Sequence, residues 1–94
     1  MAIQKLNERH VAMTIGCFGA VMHAIWAGVV FAGMGQSWLN MVFGLHFISL
    51  ATSVLTFSYM IAAELIILGF IGGAVFGWIF AALWNWTATK SWAR

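Results

Sequence analysis

Two long apolar runs dominate the chain, and polar residues gather between them and at the two ends. Val11 to Gly33 carries no charged side chain, and Tyr59 to Trp86 carries only Glu64. Each run is long enough for the ~20 helical residues that cross a ~30 Å hydrocarbon layer. Tyr59 at one end of the second run, and Trp84, Trp86 and Trp92 at the other, stand where aromatic side chains gather at lipid headgroups. At 1.5 Å per residue Tyr59 and Trp84 lie roughly 38 Å apart, so some tilt is expected.

The intervening stretch reads in two parts. Gly33, Gly35, Gln36 and Ser37 mark a turn. Trp38 to Ser58 is then expected to be helical, because His46, Ser49, Thr52, Ser53 and Thr56 would fall within about 120° of one helix face. Such a segment lies in the interface, re-enters the bilayer or forms a further span. Basic residues flank both ends of the chain equally, with Lys5 and Arg9 before the first run and Lys90 and Arg94 after the last. Positive residues favour the cytoplasmic side, so an even number of crossings is expected, with both termini cytoplasmic. The expected fold is therefore an all-α membrane protein. It comprises one membrane domain over residues 1–94, a two-span transmembrane helical hairpin (spans at 11–33 and 59–86) with an interfacial or re-entrant helix over 38–58.

Small residues recur every fourth position on both runs. Ala12, Gly16, Ala20, Ala24, Gly28 and Ala32 lie on the first; Gly69, Gly73, Gly77 and Ala81 lie on the second. In lipid, helices associate through close backbone approach, which small-xxx-small spacing permits. Gly16, Ala20, Ala24, Gly28, Gly69, Gly73, Gly77 and Ala81 are thus the candidate packing residues. Each four-residue step drifts by about 40°, so one straight partner cannot follow the first row along its whole length. Part of that row is left for a second contact, in a homo-oligomer or a larger membrane complex.

Composition narrows the function classes. Hydrophobic residues make up 64% of the 94 and charged residues 6%, against roughly 25% charged in a soluble domain. All four lysine and arginine residues lie at the two ends, so no basic stripe exists to bind nucleic acid. The charged start and the apolar run before Ala32 imitate a signal peptide. The run outlasts the about 7–15 apolar residues of such a leader, and an uncleaved anchor is expected. The lone Cys17 permits no intrachain disulfide.

The candidate chemistry is sparse. His23 sits near the middle of the first span and shares a face with Ala12, Gly16 and Gly19. It reads either as a packed imidazole bonded to a carbonyl or hydroxyl of a neighbouring helix, or as an axial ligand to a haem or chlorophyll-type macrocycle. His46 is a second such position. A soft-metal site drawn from Cys17, Met22, Met34 and Met41 with these histidines is a further alternative, although methionines in such helices usually pack. Glu64, about one turn into the second span, is an intramembrane carboxylate that reaches the interface, is protonated, or lines a small oligomeric pore. No nucleophile–base set, phosphate loop or paired carboxylate is present, so neither an enzyme nor a resident metal or cofactor is expected.

Four segments carry a resemblance: His23-Ala-Ile-Trp26, Phe43-Gly-Leu-His-Phe47, Gly69-Phe-Ile-Gly-Gly73 and Phe76-Gly-Trp-Ile-Phe-Ala-Ala-Leu-Trp-Asn85. Across about residues 10–86 the chain resembles a group of small, uncharacterised bacterial membrane proteins. That resemblance implies a two-span hairpin in the bacterial cytoplasmic membrane and no particular activity. The group's intervening loop usually contains proline; this chain has none.

Overall fold

Asn7 and Ser58 open the two long helices in the same way. Each sits in extended backbone and turns its side-chain oxygen back onto the first turn, Asn7 accepting from the His10 N–H at 3.0 Å and Ser58 from the Ile61 N–H at 3.4 Å. Both are N-caps that satisfy one of the free amides at a helix start. With no proline to interrupt them, helix α1 runs over Glu8–Phe31 and α3 over Tyr59–Thr87, and a shorter α2 spans Gly35–Leu45. A single 3-10 turn, Ser91–Ala93, follows α3. The computed structural model describes residues 3–93, and its regular structure is all helical among them. Helices α1 and α3 are both long and apolar enough to cross a membrane.

Helix α1 ends in a Schellman motif. Gly33, at φ 77°, donates its N–H to Val30, and Met34 donates to Val29, so two of the last carbonyls are satisfied as the chain leaves the axis. Gly35 starts α2 at once, packed so closely that an added Cβ would stand 3.1 Å from Val30 and 3.2 Å from Val54.

Helix α2 departs from expectation. The helix anticipated over 38–58 occupies only Gly35–Leu45, and residues 48–58 form no helix. The chain is stopped by a second Schellman motif, with Phe47 donating to Gly44 and Ile48 donating to Phe43. Phe47 itself holds the left-handed position usually given to glycine, at φ 62°. The helical stripe inferred for His46, Ser49, Thr52, Ser53 and Thr56 therefore does not form: His46 caps α2 and the other four lie beyond it.

Gln36 holds the returning segment instead. Its Oε1 accepts the Val54 N–H at 2.8 Å, while its Nε2 donates to Thr52 Oγ1 at 3.2 Å and Asn40 Oδ1 at 3.1 Å. Phe57 then bridges the helix ends edge-on, its ring centroid 5.0 Å from both Phe31 and Tyr59. Edge-to-face aromatic pairs of this kind add about 0.5–1.5 kcal/mol each beyond area burial.

Helices α1 and α3 pack in antiparallel sense, with Gly77 against Val11 and Ala12, and Gly69 against Gly19 and His23. Among the described residues the buried apolar side chains are three alanines, Ala12, Ala27 and Ala81. None of the large side chains described is fully buried, whereas Phe18, Phe31, Leu68 and Phe76 each expose more than 60% of their surface. A slab with its thinnest dimension at 16 Å has no room for a conventional core. Its interior is backbone.

Candidate functional site

The contact between α1 and α3 is built by glycine. A Cβ on Gly73 would stand 2.5 Å from the Ile15 carbonyl oxygen; one on Gly77 would stand 2.9 Å from that of Val11. On Gly16 it would lie 3.0 Å from the Phe70 carbonyl, and on Gly19 it would collide with the carbonyl of Gly69. The helices therefore meet main chain to main chain, with each glycine removing the atom that would hold them apart.

On α3 the contact row keeps a stride of four, and Gly69, Gly77 and Ala81 are buried while Gly73 is half-buried. On α1 the row shifts. It runs through Ala12, Gly16 and Gly19 to His23, because steps of four and three alternate and cancel the drift of a strict four-residue row. Ala20 is consequently only half-buried, and Ala24 and Gly28 are exposed, with nothing within 4 Å of a Cβ on Gly28. The structure thus brings Gly16, Gly69, Gly73 and Gly77 together and leaves Ala24 and Gly28 outside the contact.

His23 lies on this row, one turn before the buried Ala27. Its Nδ1 donates to the Gly19 carbonyl at 2.7 Å, a partner on its own helix one turn back and not on a neighbouring helix. A carbonyl can only accept, so Nδ1 carries the proton. Gly69 makes room for this ring: a Cβ there would stand 2.5 Å from Nδ1. His23 also borders an open, almost wholly apolar groove of about 350 Å³, walled by Phe18, Leu65, Leu68 and Phe76. Its glycines are Gly19, Gly69, Gly72 and Gly73.

The other candidates are dispersed. His46, exposed at the end of α2, bonds Nδ1 to the Val42 carbonyl at 2.7 Å and does not border the His23 groove. Glu64 is exposed in the second turn of α3, and Cys17 is exposed on α1. Among the described residues no three His, Cys, Asp or Glu side chains gather into a metal-binding group.

Two amides missed in the sequence do structural work at opposite poles. Gln36 fastens the 52–54 segment, as above. Asn85 fastens the N-terminal segment: Oδ1 accepts the Leu6 N–H at 2.7 Å, and Nδ2 donates to the Leu6 carbonyl at 2.8 Å and to Glu8 Oε1 at 2.9 Å. Next to it, Trp84 Nε1 donates to the Gln4 carbonyl at 3.0 Å. The only available signal was an isolated amide inside a tryptophan-rich helix end. At the same pole the Lys90 ammonium sits 4.3 Å from the Trp86 ring centroid, a cation–π distance.

No family model, curated protein or solved structure matches the chain.

Proposed function

We propose that this chain is a two-span helical-hairpin protein of the bacterial cytoplasmic membrane, with both termini cytoplasmic. It works by helix packing and not by catalysis. It serves as a homo-oligomer or as a structural subunit of a larger membrane complex.

The observation that carries this reading is the inversion of the usual burial pattern. Small residues are inside and large apolar ones outside: only 11% of the most apolar window of either long helix is buried. In water that arrangement would expose an apolar surface far beyond the few hundred Å² a soluble monomer tolerates. In lipid it costs nothing, because hydrocarbon solvates leucine and phenylalanine as well as a core does, and backbone approach supplies the association. The antiparallel pairing sets Lys5, Arg9 and Lys90 at one pole, as an even-span topology with cytoplasmic ends requires. Ala24 and Gly28, exposed on α1, offer a second close-approach surface once the intrachain contact is made.

Native mass spectrometry of protein extracted gently from its membrane tests the reading. A ladder of identical chains establishes the homo-oligomer, and co-purifying subunits establish the accessory role. A chain recovered in the soluble fraction without detergent would sink both.

A further inference from the structure

We infer that residues 49–57 pair edge to edge with the same segment of a second copy of this chain, as an antiparallel two-stranded ribbon. The pairing rests on the homo-oligomeric form of the function proposed above and names a surface that it uses.

The segment is extended and its main chain is almost unpartnered. From Ile48 to Ser58 the chain makes no turn or bend. It runs back beside α2 to meet Gln36 through Thr52 Oγ1 and the Val54 N–H. Among the described residues, Val54 is the only member of 49–57 whose main-chain N–H or C=O finds a hydrogen-bond partner. Peptide groups of an extended chain point alternately to its two edges. With the Val54 N–H turned toward Gln36, the main-chain groups of Ala51, Ser53, Leu55 and Phe57 line the opposite edge.

Nothing on this edge defends it. Residues 48–58 contain no charged residue and no proline, two of the usual means of keeping an open strand from pairing. Leu50 and Leu55 expose 58% and 73% of their surface. Lipid accepts such side chains but offers nothing to the peptide groups, and water does the reverse. A second extended segment meets both needs, with ladder hydrogen bonds and cross-strand side-chain contacts.

The shape of the chain allows that second segment to be its own copy. The molecule measures 33 Å along its middle axis, wider than two helices packed about 8–10 Å apart. Helix α2 and the returning segment therefore project to one side of the α1–α3 pair. Two copies inserted in the same sense are related by a two-fold axis along the membrane normal, and segments meeting across that axis run antiparallel. An axis at Ser53 sets this residue opposite its own counterpart and Ala51 opposite Leu55. That register uses the whole free edge from Ser49 to Phe57.

Disulfide cross-linking in membranes of expressing cells tests the register, in full-length chains that carry Cys17→Ser. Residues facing each other across such a ladder hold their Cα atoms about 5.5 Å apart, within disulfide reach. Ser53→Cys should form a covalent dimer on mild oxidation. Ala51→Cys and Leu55→Cys should each fail alone, because each lies about 14 Å from its counterpart, yet should cross-link when co-expressed. Leu55→Pro deletes a free-edge N–H and spares the Val54 bond. It should lower the Ser53→Cys dimer yield about fivefold with an unchanged helical circular-dichroism spectrum. Absence of the Ser53→Cys dimer, equal cross-linking by Ala51→Cys alone, or an adduct only to a different protein would overturn the pairing. Any of these in a chain that stays in the membrane fraction leaves the two-span reading standing, whereas recovery in the soluble fraction would remove both.

Discussion

The side-chain amide of Asn85 pairs with both main-chain groups of Leu6, accepting its N–H at 2.7 Å and donating to its carbonyl at 2.8 Å. The two residues are 79 positions apart, so this pair joins the chain's beginning to the end of α3. It completes a segment that neither helix supplies with partners, since Leu6 precedes the Asn7 cap. Each such bond contributes about 0.5–1.5 kcal/mol net. Asn85→Ala should therefore destabilise the fold by about 1–3 kcal/mol in reversible denaturation in detergent. Exchange of the Leu6 amide hydrogen should accelerate in step. A Leu6 amide as protected as in the parent chain would count against the pairing.

Gly73→Leu should separate α1 from α3. Its Cβ alone would meet the Ile15 carbonyl oxygen at 2.5 Å, and main chain cannot step aside as a flexible side chain can. Overpacking of this kind costs about 1–3 kcal/mol. Gly28→Leu, on the same pair but in open space, should change the stability of the isolated chain little. Equal thermal midpoints for the two variants would contradict the glycine contact described above.

Phe47 predicts a gain. A non-glycine residue in the left-handed region bears a penalty of roughly 1–2 kcal/mol, and the Phe47 ring is 99% exposed, so within the chain it recovers nothing by packing. Phe47→Gly should raise the unfolding midpoint in detergent, limited by the greater entropy glycine returns to the unfolded chain. A lowered midpoint would mean that the ring contributes more than the strain removes.

Gln36→Leu should free the returning segment while α1 and α3 stay paired. Three hydrogen bonds from one side chain, to Asn40, Thr52 and the Val54 amide, would be lost together. The expected signature is faster hydrogen exchange at Val54 with unchanged exchange at the centre of α3. Uniform acceleration along the whole chain would show that Gln36 holds more than this segment.

The long helices were legible because each is an apolar run of membrane length, the second bounded by Tyr59 at one end and Trp84 and Trp86 at the other, whereas their caps at Asn7 and Ser58 were not read from the sequence. The apolar runs at 11–33 and 59–86 lie close to Glu8–Phe31 and Tyr59–Thr87. The middle was not legible. Its helix stops at a phenylalanine in a backbone position that phenylalanine rarely takes, and the Gly35 expected in a turn is the first residue of α2. The packing glycines of α3 could be read from spacing alone, since Gly69, Gly73 and Gly77 together drift only about 80° around the helix. On α1 the same spacing pointed to Ala24 and Gly28, which the contact leaves behind as the helix rotates away. Asn85 and Gln36 form long-range bonds to main chain, and no local pattern announces such partners.

The even stride of Gly69, Gly73, Gly77 and Ala81 has a mechanical corollary. If α3 slid by one turn, about 6 Å for four residues, Gly73 would take the place of Gly69 beneath His23. Gly77 would replace Gly73, and Ala81 would replace Gly77. The methyl of Ala81 would then stand where a Cβ meets the Val11 carbonyl oxygen at 2.9 Å, and Asn85 would enter the place of Ala81. Spacing alone therefore tolerates a neighbouring alignment through most of the row and refuses it at the far end. A second stop lies beside it, where Asn85 engages Leu6, an engagement that does not survive a displacement of one turn.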